Sequence, residues 1–322
     1  MNTTPNRLTS IFLYLLTVAV VFAAVVFLTR SEAEYINNPA DLNRFDFSQG
    51  AVIISPNAFE SEGTYRHAFY RITLTNLTPG KIYGISGYSA THAMRLWVDG
   101  VLLYEIGSPG DSYDTMTAGT GYFTVYFTAG AHEIGTGTEI VIERSGFVLA
   151  HGGRLNSLYF GEQHHITAIQ VLSYVRVSFL VGITIMAVLF NLGIFLFFKN
   201  QVRFLWFALY CLMIALRTIG IDNRLITTLI PGMSWEFDYL FAYLVTSGFT
   251  VFIILFFNAM FFEGLNKWLV RISLGFLGIH AVFMLVTSPA VYSAFNTPYN
   301  IIQVVITVSF LVNTRQSTLW LY

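Results

Sequence analysis

The chain has 322 residues, of which 55% are hydrophobic and only 11% charged, whereas soluble domains carry roughly 25% charged residues; a purely soluble fold is therefore excluded. A net charge of −1, with no dense Lys/Arg cluster, gives no support for nucleic-acid binding. The single cysteine, Cys211, excludes a disulfide framework and any multi-cysteine metal site.

The charge is unevenly placed. Residues 31–168 hold 14 of the 18 acids and 7 of the 17 bases, a local net charge of −7. This predicts three parts: an N-terminal segment 1–30, a hydrophilic exported domain 31–168, and a helical transmembrane domain 169–322. A bilayer core of about 30 Å needs roughly 20 apolar helical residues, because backbone polar groups cannot be left facing lipid. The first such run, 11–28, sits between Arg7 and Arg30. Ser31-Glu32-Ala33 offers a cleavage site, whereas the apolar run is long for a signal peptide, so signal peptide and signal anchor both stand. Either one exports the hydrophilic domain.

From 51 to 161, short β-rich runs alternate with Gly, Pro, Asn and Asp clusters: AVIIS, AFYRITLT, IYGISGYS, MRLWVDGVLLYEIG, GYFTVYFT, TEIVIE and SLYFG. That spacing predicts an all-β sandwich. TPGK at 78–81 and Asp99-Gly100 are turn sequences, with Pro presetting φ and Gly accepting positive φ. A two-residue Asp99-Gly100 turn pairs Val98 with Val101, Trp97 with Leu102, Leu96 with Leu103, and Arg95 with Tyr104. Leu96, Val98, Val101 and Leu103 then form a core face, and Arg95, Trp97, Leu102 and Tyr104 the opposite face. Aromatic rings beside a guanidinium suit a sugar ring or a carboxylated ligand. The alternative is that Trp97 and Tyr104 pack against a neighbouring strand, loop or partner.

The stretch AHGGRLNSLYFG adds two candidate ligand-binding donors, His151 and Arg154, unless its glycines merely close the last strand. His164-His165 reads as a polar linker, with pH sensing as the other reading. The triplet GDS at 110–112 comes after a hairpin rather than a first parallel strand, which argues against an esterase nucleophile. The acids lack a glycosidase pair's spacing and the seven His lack metal-ligand spacing. No catalytic residue, metal or cofactor is predicted.

Further apolar windows are 177–198, 204–221, 239–262 and 268–287, with a weaker one at 297–313. Arg7, Lys199, Arg203, Lys267, Arg271 and Arg315 all fall on one side in an alternating topology, which places them in the cytoplasm and residues 31–168 outside. Polar residues inside these windows are Asn191, Arg217, Asn258 and His280. Intramembrane ionisable groups face a bundle interior or serve function by default. Arg217 lies close enough to the outer interface to snorkel, with Glu236 and Asp238 as partners, and His280 suits either a functional role or an interhelical hydrogen bond.

The order of parts, the RLWVDGVLLYEIG hairpin, the HGGRLNSLYFG strand and the helical hairpin GITIMAVLFNLGIFLFFKNQVRFLWFALYCLMIAL together carry a resemblance. The chain from about residue 45 onward resembles the bacterial seven-transmembrane receptors with diverse intracellular signalling modules. That resemblance implies a jelly-roll, galactose-binding-like sensor domain and seven spans relaying its state to an effector: a histidine kinase, a nucleotide cyclase or a phosphatase. About five of the seven spans are visible and no effector, so the chain reads as a truncated product.

The expected function is a receptor of the bacterial plasma membrane. Its partners are a small extracellular ligand, a saccharide above all, the lipid bilayer, and a cytoplasmic effector module or response regulator; a homodimer is compatible. The alternatives are a transport or envelope-polymer export component with a β-sandwich adaptor, and a protein-binding membrane adaptor.

Overall fold

A computed structural model describes residues 36–37, 39, 41–130, 137–150, 155–199, 201–221, 225–230, 232–260 and 267–319. The apolar run at 11–28 lies outside them.

Among the described residues, nine strands form one sheet that curls on itself: β1 (Ile36–Asn37), β2 (Ala51–Ile54), β3 (Glu60–Gly63), β4 (His67–Leu74), β5 (Ile82–Val98), β6 (Val101–Ile106), β7 (Gly119–Thr128), β8 (Thr138–Ser145) and β9 (Leu158–Glu162). Strand β5 creates the curl. Its first part, up to Ser89, pairs with β7 and β9, while its last part, from Ala93, pairs with β6 and β8. The pairing of β5 with β7 shifts register between Ser89 and His92, and there the strand passes from one layer to the other. The first layer is β1-β2-β9-β5-β7 and the second is β3-β4-β8-β5-β6.

Period-2 alternation aims one side of each strand inward. In β4, Ala68, Tyr70 and Leu74 are buried while Phe69 and Arg71 face out. These join Val52, Ile54, Tyr83, Ile85, Leu96, Phe123, Ile140, Ile142 and Phe160 in a single core between the layers. The all-β sandwich read from the sequence is therefore present, with two differences. The runs at 82–89 and 94–98 are one 17-residue strand, and β3 was not foreseen. Its residues, Glu60, Ser61, Glu62 and Gly63, are all exposed at a sheet edge, so no hydrophobic pattern marks it.

Both turns form as their residues dictate. Gly80 has φ 78°, and Lys81 N–H donates to Thr78 O at 3.2 Å. Asp99 and Gly100 have φ 48° and 77°, the paired positive values of a tight type I′ hairpin. The register beyond this turn corrects the expectation. Val98 still faces Val101 and Trp97 still faces Leu102, but Leu96 faces Tyr104 and Arg95 faces Glu105. Leu103 is an extra residue on β6, a β-bulge that advances everything after it by one.

The helices are α1 (Gln163–Phe197), α2 (Val202–Ile221), α3 (Leu225–Leu229), α4 (Trp235–Met260), α5 (Lys267–Val286), α6 (Pro289–Ala294) and α7 (Asn296–Leu319). Four of them, α1, α2, α4 and α5, are long and apolar enough to cross a membrane. Helix α7 has 24 residues and is less apolar, in keeping with the weak window read there. No linker separates sandwich from bundle: β9 ends at Glu162 and α1 begins at Gln163, so His164 and His165 form its first turn.

Candidate functional site

Two regions of the sandwich are candidates for a functional role: the outward face of the second layer, and the underside that meets the helices.

Strand register builds the outward face. Residues directly opposite across neighbouring strands share a side. One row therefore runs Glu62, Phe69, Glu143, Arg95, Glu105, and the next runs Glu60, Arg71, Val141, Trp97, Leu102. In the first row Arg95 Nε donates to Glu105 at 2.8 Å and its Nη1 to Glu143 at 3.4 Å. The other oxygen of Glu143 meets His67 Nε2 at 3.1 Å. In the second row Arg71 pairs with Glu139 at 3.0 Å. Phe69 on β4 is 41% exposed, and Trp97 on β5, one row away and across β8, is half-buried on the same face. At the β3–β4 edge this face opens into a cleft of about 440 Å³ lined by Asp41, Asn43, Ser55, Glu60, Arg71 and Thr73 among others.

The predicted triad of Arg95, Trp97 and Tyr104 is thus divided. Arg95 and Trp97 stay on the outward face, whereas the Leu103 bulge turns Tyr104 inward. Its ring stacks on Phe123 with centroids 4.7 Å apart, and burial pushes its phenol pKa up. Val101, read as core, is 61% exposed at the hairpin tip. His151 and Arg154 lie outside the described residues. Sequence reasoning missed Phe69, Arg71, His67 and Glu143, although the alternation in HAFYRITL and TEIVIERS marks each as one of an outward set.

The underside is a two-point joint. At the first point, Ile166 and Ile169 of α1 pack with Ala51 beneath β9, and Tyr126 bonds Thr167 at 3.0 Å. Gly84 admits this approach, since a Cβ there would meet Ile166 Cβ at 3.2 Å, while Gly161 admits Ala51 of β2, whose Cα a Cβ there would meet at 2.8 Å. At the second point, Thr120 of β7 donates to Asp238 of α4 at 3.3 Å, and Ala150 N–H donates to Ser293 of α6 at 3.1 Å. Trp235 packs on the small cluster of Ala93, Met116 and Val148. His92 is buried above it with neither ring nitrogen hydrogen-bonded, and burial, with Arg144 adding to it, lowers its pKa to about 3. The imidazole is neutral there.

Inside the bundle, His280 of α5 stacks on Tyr299 of α7, with centroids 3.3 Å apart. Gln303 Nε2 donates to Tyr299 OH at 2.8 Å and to Thr250 at 3.2 Å, and Tyr299 bonds Ser247 at 2.7 Å. Asn191 donates to Ala187 O at 2.8 Å on its own helix, and Asn258 is half-buried on α4. Arg217 is exposed on α2, and the expected pairing with Glu236 or Asp238 does not occur. Among the described residues no three His, Cys, Asp or Glu side chains could hold a metal ion.

A curled β-sheet domain seated on a bundle of apolar helices defines an integral membrane protein with a water-facing domain. Residues 173–316, a little under half of the chain, match the family described as 7TM diverse intracellular signalling, in line with the resemblance read from the sequence. That match, together with four helices apolar enough to cross a membrane, fits the membrane part of a signalling receptor. No curated protein matches the chain.

Proposed function

We propose that the protein is a transmembrane receptor of the bacterial plasma membrane whose sandwich takes up a small ligand, a saccharide, outside the cytoplasm. The helices pass its state to a cytoplasmic effector or response regulator. The observation that carries this reading is the two-point joint: the last strand continues into α1 while the far side of the sandwich rests on α4 and α6. A ligand that favours one shape of the sandwich therefore biases the tilt of α1 against α4, as differential binding to two states requires.

The sandwich touches the helix ends opposite Lys199, Arg203, Lys267 and Arg271, which supports placing it outside. Phe69 and Trp97 supply faces for a sugar ring, and Arg71, Glu60 and Asn43 supply donors and acceptors at the adjoining cleft. The test is thermal unfolding of the full chain in phosphatidylcholine nanodiscs against a saccharide panel. At 100 times Kd a bound sugar adds about 2.7 kcal/mol of stability. It should do so for wild type and not for Phe69→Ala or Trp97→Ala. A well-folded protein that no saccharide stabilises removes the sugar reading.

A further inference from the structure

Between α2, α4 and α7 lies a cavity of about 610 Å³. Its polar lining comprises Arg217, Thr218, Thr246, Thr250, Asn300 and Gln303. Ile214, Phe249, Val304 and Val308 make up the rest of its wall. Arg217 stands one helical turn from Ile221, the end of α2 nearest the sandwich. Thr246 and Thr250 stand three to four turns into α4 from its sandwich end at Trp235. The cavity therefore begins near the interface with a cation and continues toward mid-bilayer past Thr246 and Thr250, along Phe249, Val304 and Val308.

Arg217 makes no hydrogen bond or ion pair with any described residue, while the amide of Gln303 is already engaged by Tyr299 and Thr250. Placed at the interface end of the cavity, the guanidinium keeps its charge and attracts an anion into that mouth. Its planar fork of donors matches a carboxylate. The polar end and apolar wall together demand one molecule with both characters.

We infer that this cavity binds a single-chain acidic amphiphile, a long-chain carboxylate, with its head on Arg217 and Asn300 and its chain along Phe249, Val304 and Val308. The site is separate from the sandwich face and does not depend on what that face binds.

The full chain in phosphatidylcholine nanodiscs is labelled with a photoreactive dodecanoate, and the adducts are mapped. Labelling should be saturable, fall on α2, α4 or α7 near the cavity, and be competed by dodecanoate but not by dodecanol or butanoate. Arg217→Gln should weaken labelling tenfold or more, and Arg217→Lys should restore part of it. Val304→Trp, which fills the cavity from a 62% exposed position, should block labelling while the unfolding temperature holds. Equal competition by dodecanol, labelling unaffected by Arg217→Gln and by Val304→Trp, or no saturable labelling overturns the proposal. So does competition by phosphatidylglycerol in place of dodecanoate, because the site then belongs to a bilayer headgroup.

Discussion

Thr120 of the sandwich donates a hydrogen bond to Asp238 of the bundle across 118 residues of sequence, and Asp238 is fully buried where it accepts. Nothing in either residue's own segment requires the other; sandwich and bundle meet there.

Removing that donor should loosen both parts together. Thr120→Val keeps the side-chain volume and removes a hydrogen bond to a fully buried carboxylate, at a cost of about 1–3 kcal/mol. Hydrogen exchange should rise at β7 and at the first turns of α4 alike. A rise confined to β7 would show that the contact carries no coupling.

The α1 contact makes a matching prediction. Ile166 is 1% exposed beneath the sandwich, so Ile166→Ala should cost about 2–5 kcal/mol through lost burial and the cavity left behind. Thermal unfolding of the full chain reads the loss directly. Val304→Ala, on an exposed part of α7, should cost far less.

Two glycines separate strain from collision. A Cβ on Gly100 would meet nothing within 4 Å, so Gly100→Ala should cost about 1 kcal/mol for its φ of 77° alone. Gly107 has φ 64°, and there a Cβ would run into the Thr117 carbonyl oxygen, so Gly107→Ala should cost clearly more. Equal losses at both positions would mean that backbone angle outweighs the clash.

His92 sets a pH dependence. Its pKa falls from 6.5 in the unfolded chain to about 3 in the fold, so between those values the unfolded state binds more protons. Stability contributed by His92 is thus present above pH 6.5 and is lost as pH falls toward 3. Between pH 7 and pH 5 the loss should be about 2 kcal/mol. His92→Leu should flatten the profile by that amount in denaturant titrations at the two pH values.

The sequence made legible whatever depends on neighbours along the chain. Asp99-Gly100 fixed the hairpin turn, Pro79-Gly80 fixed another, and the runs near α1, α2, α4 and α5 marked four spans. What it hid depends on partners far away. The Leu103 bulge places Tyr104 opposite Leu96, where its ring reaches Phe123 of another strand, and no local rule foretells that contact. The start of α1 was hidden for a similar reason. Reading the span from 177 tracks lipid-facing hydropathy, whereas the helix begins at Gln163 because Ile166 and Ile169 have the sandwich to pack against. The outward rows of Phe69, Arg71, Trp97 and Arg95 were legible one strand at a time, but only the register between strands brings them onto one face.

The most direct test of a sandwich coupled rigidly to its bundle is one distance. Spin labels at Glu105 on the outward face and at Lys199 between α1 and α2, in a Cys211→Ala background, report sandwich position against the far end of the bundle by pulsed electron resonance. The joint predicts a single narrow distribution that broadens when Thr120→Val and Ile166→Ala are combined. A broad distribution in the parent protein, unchanged by those substitutions, would contradict it.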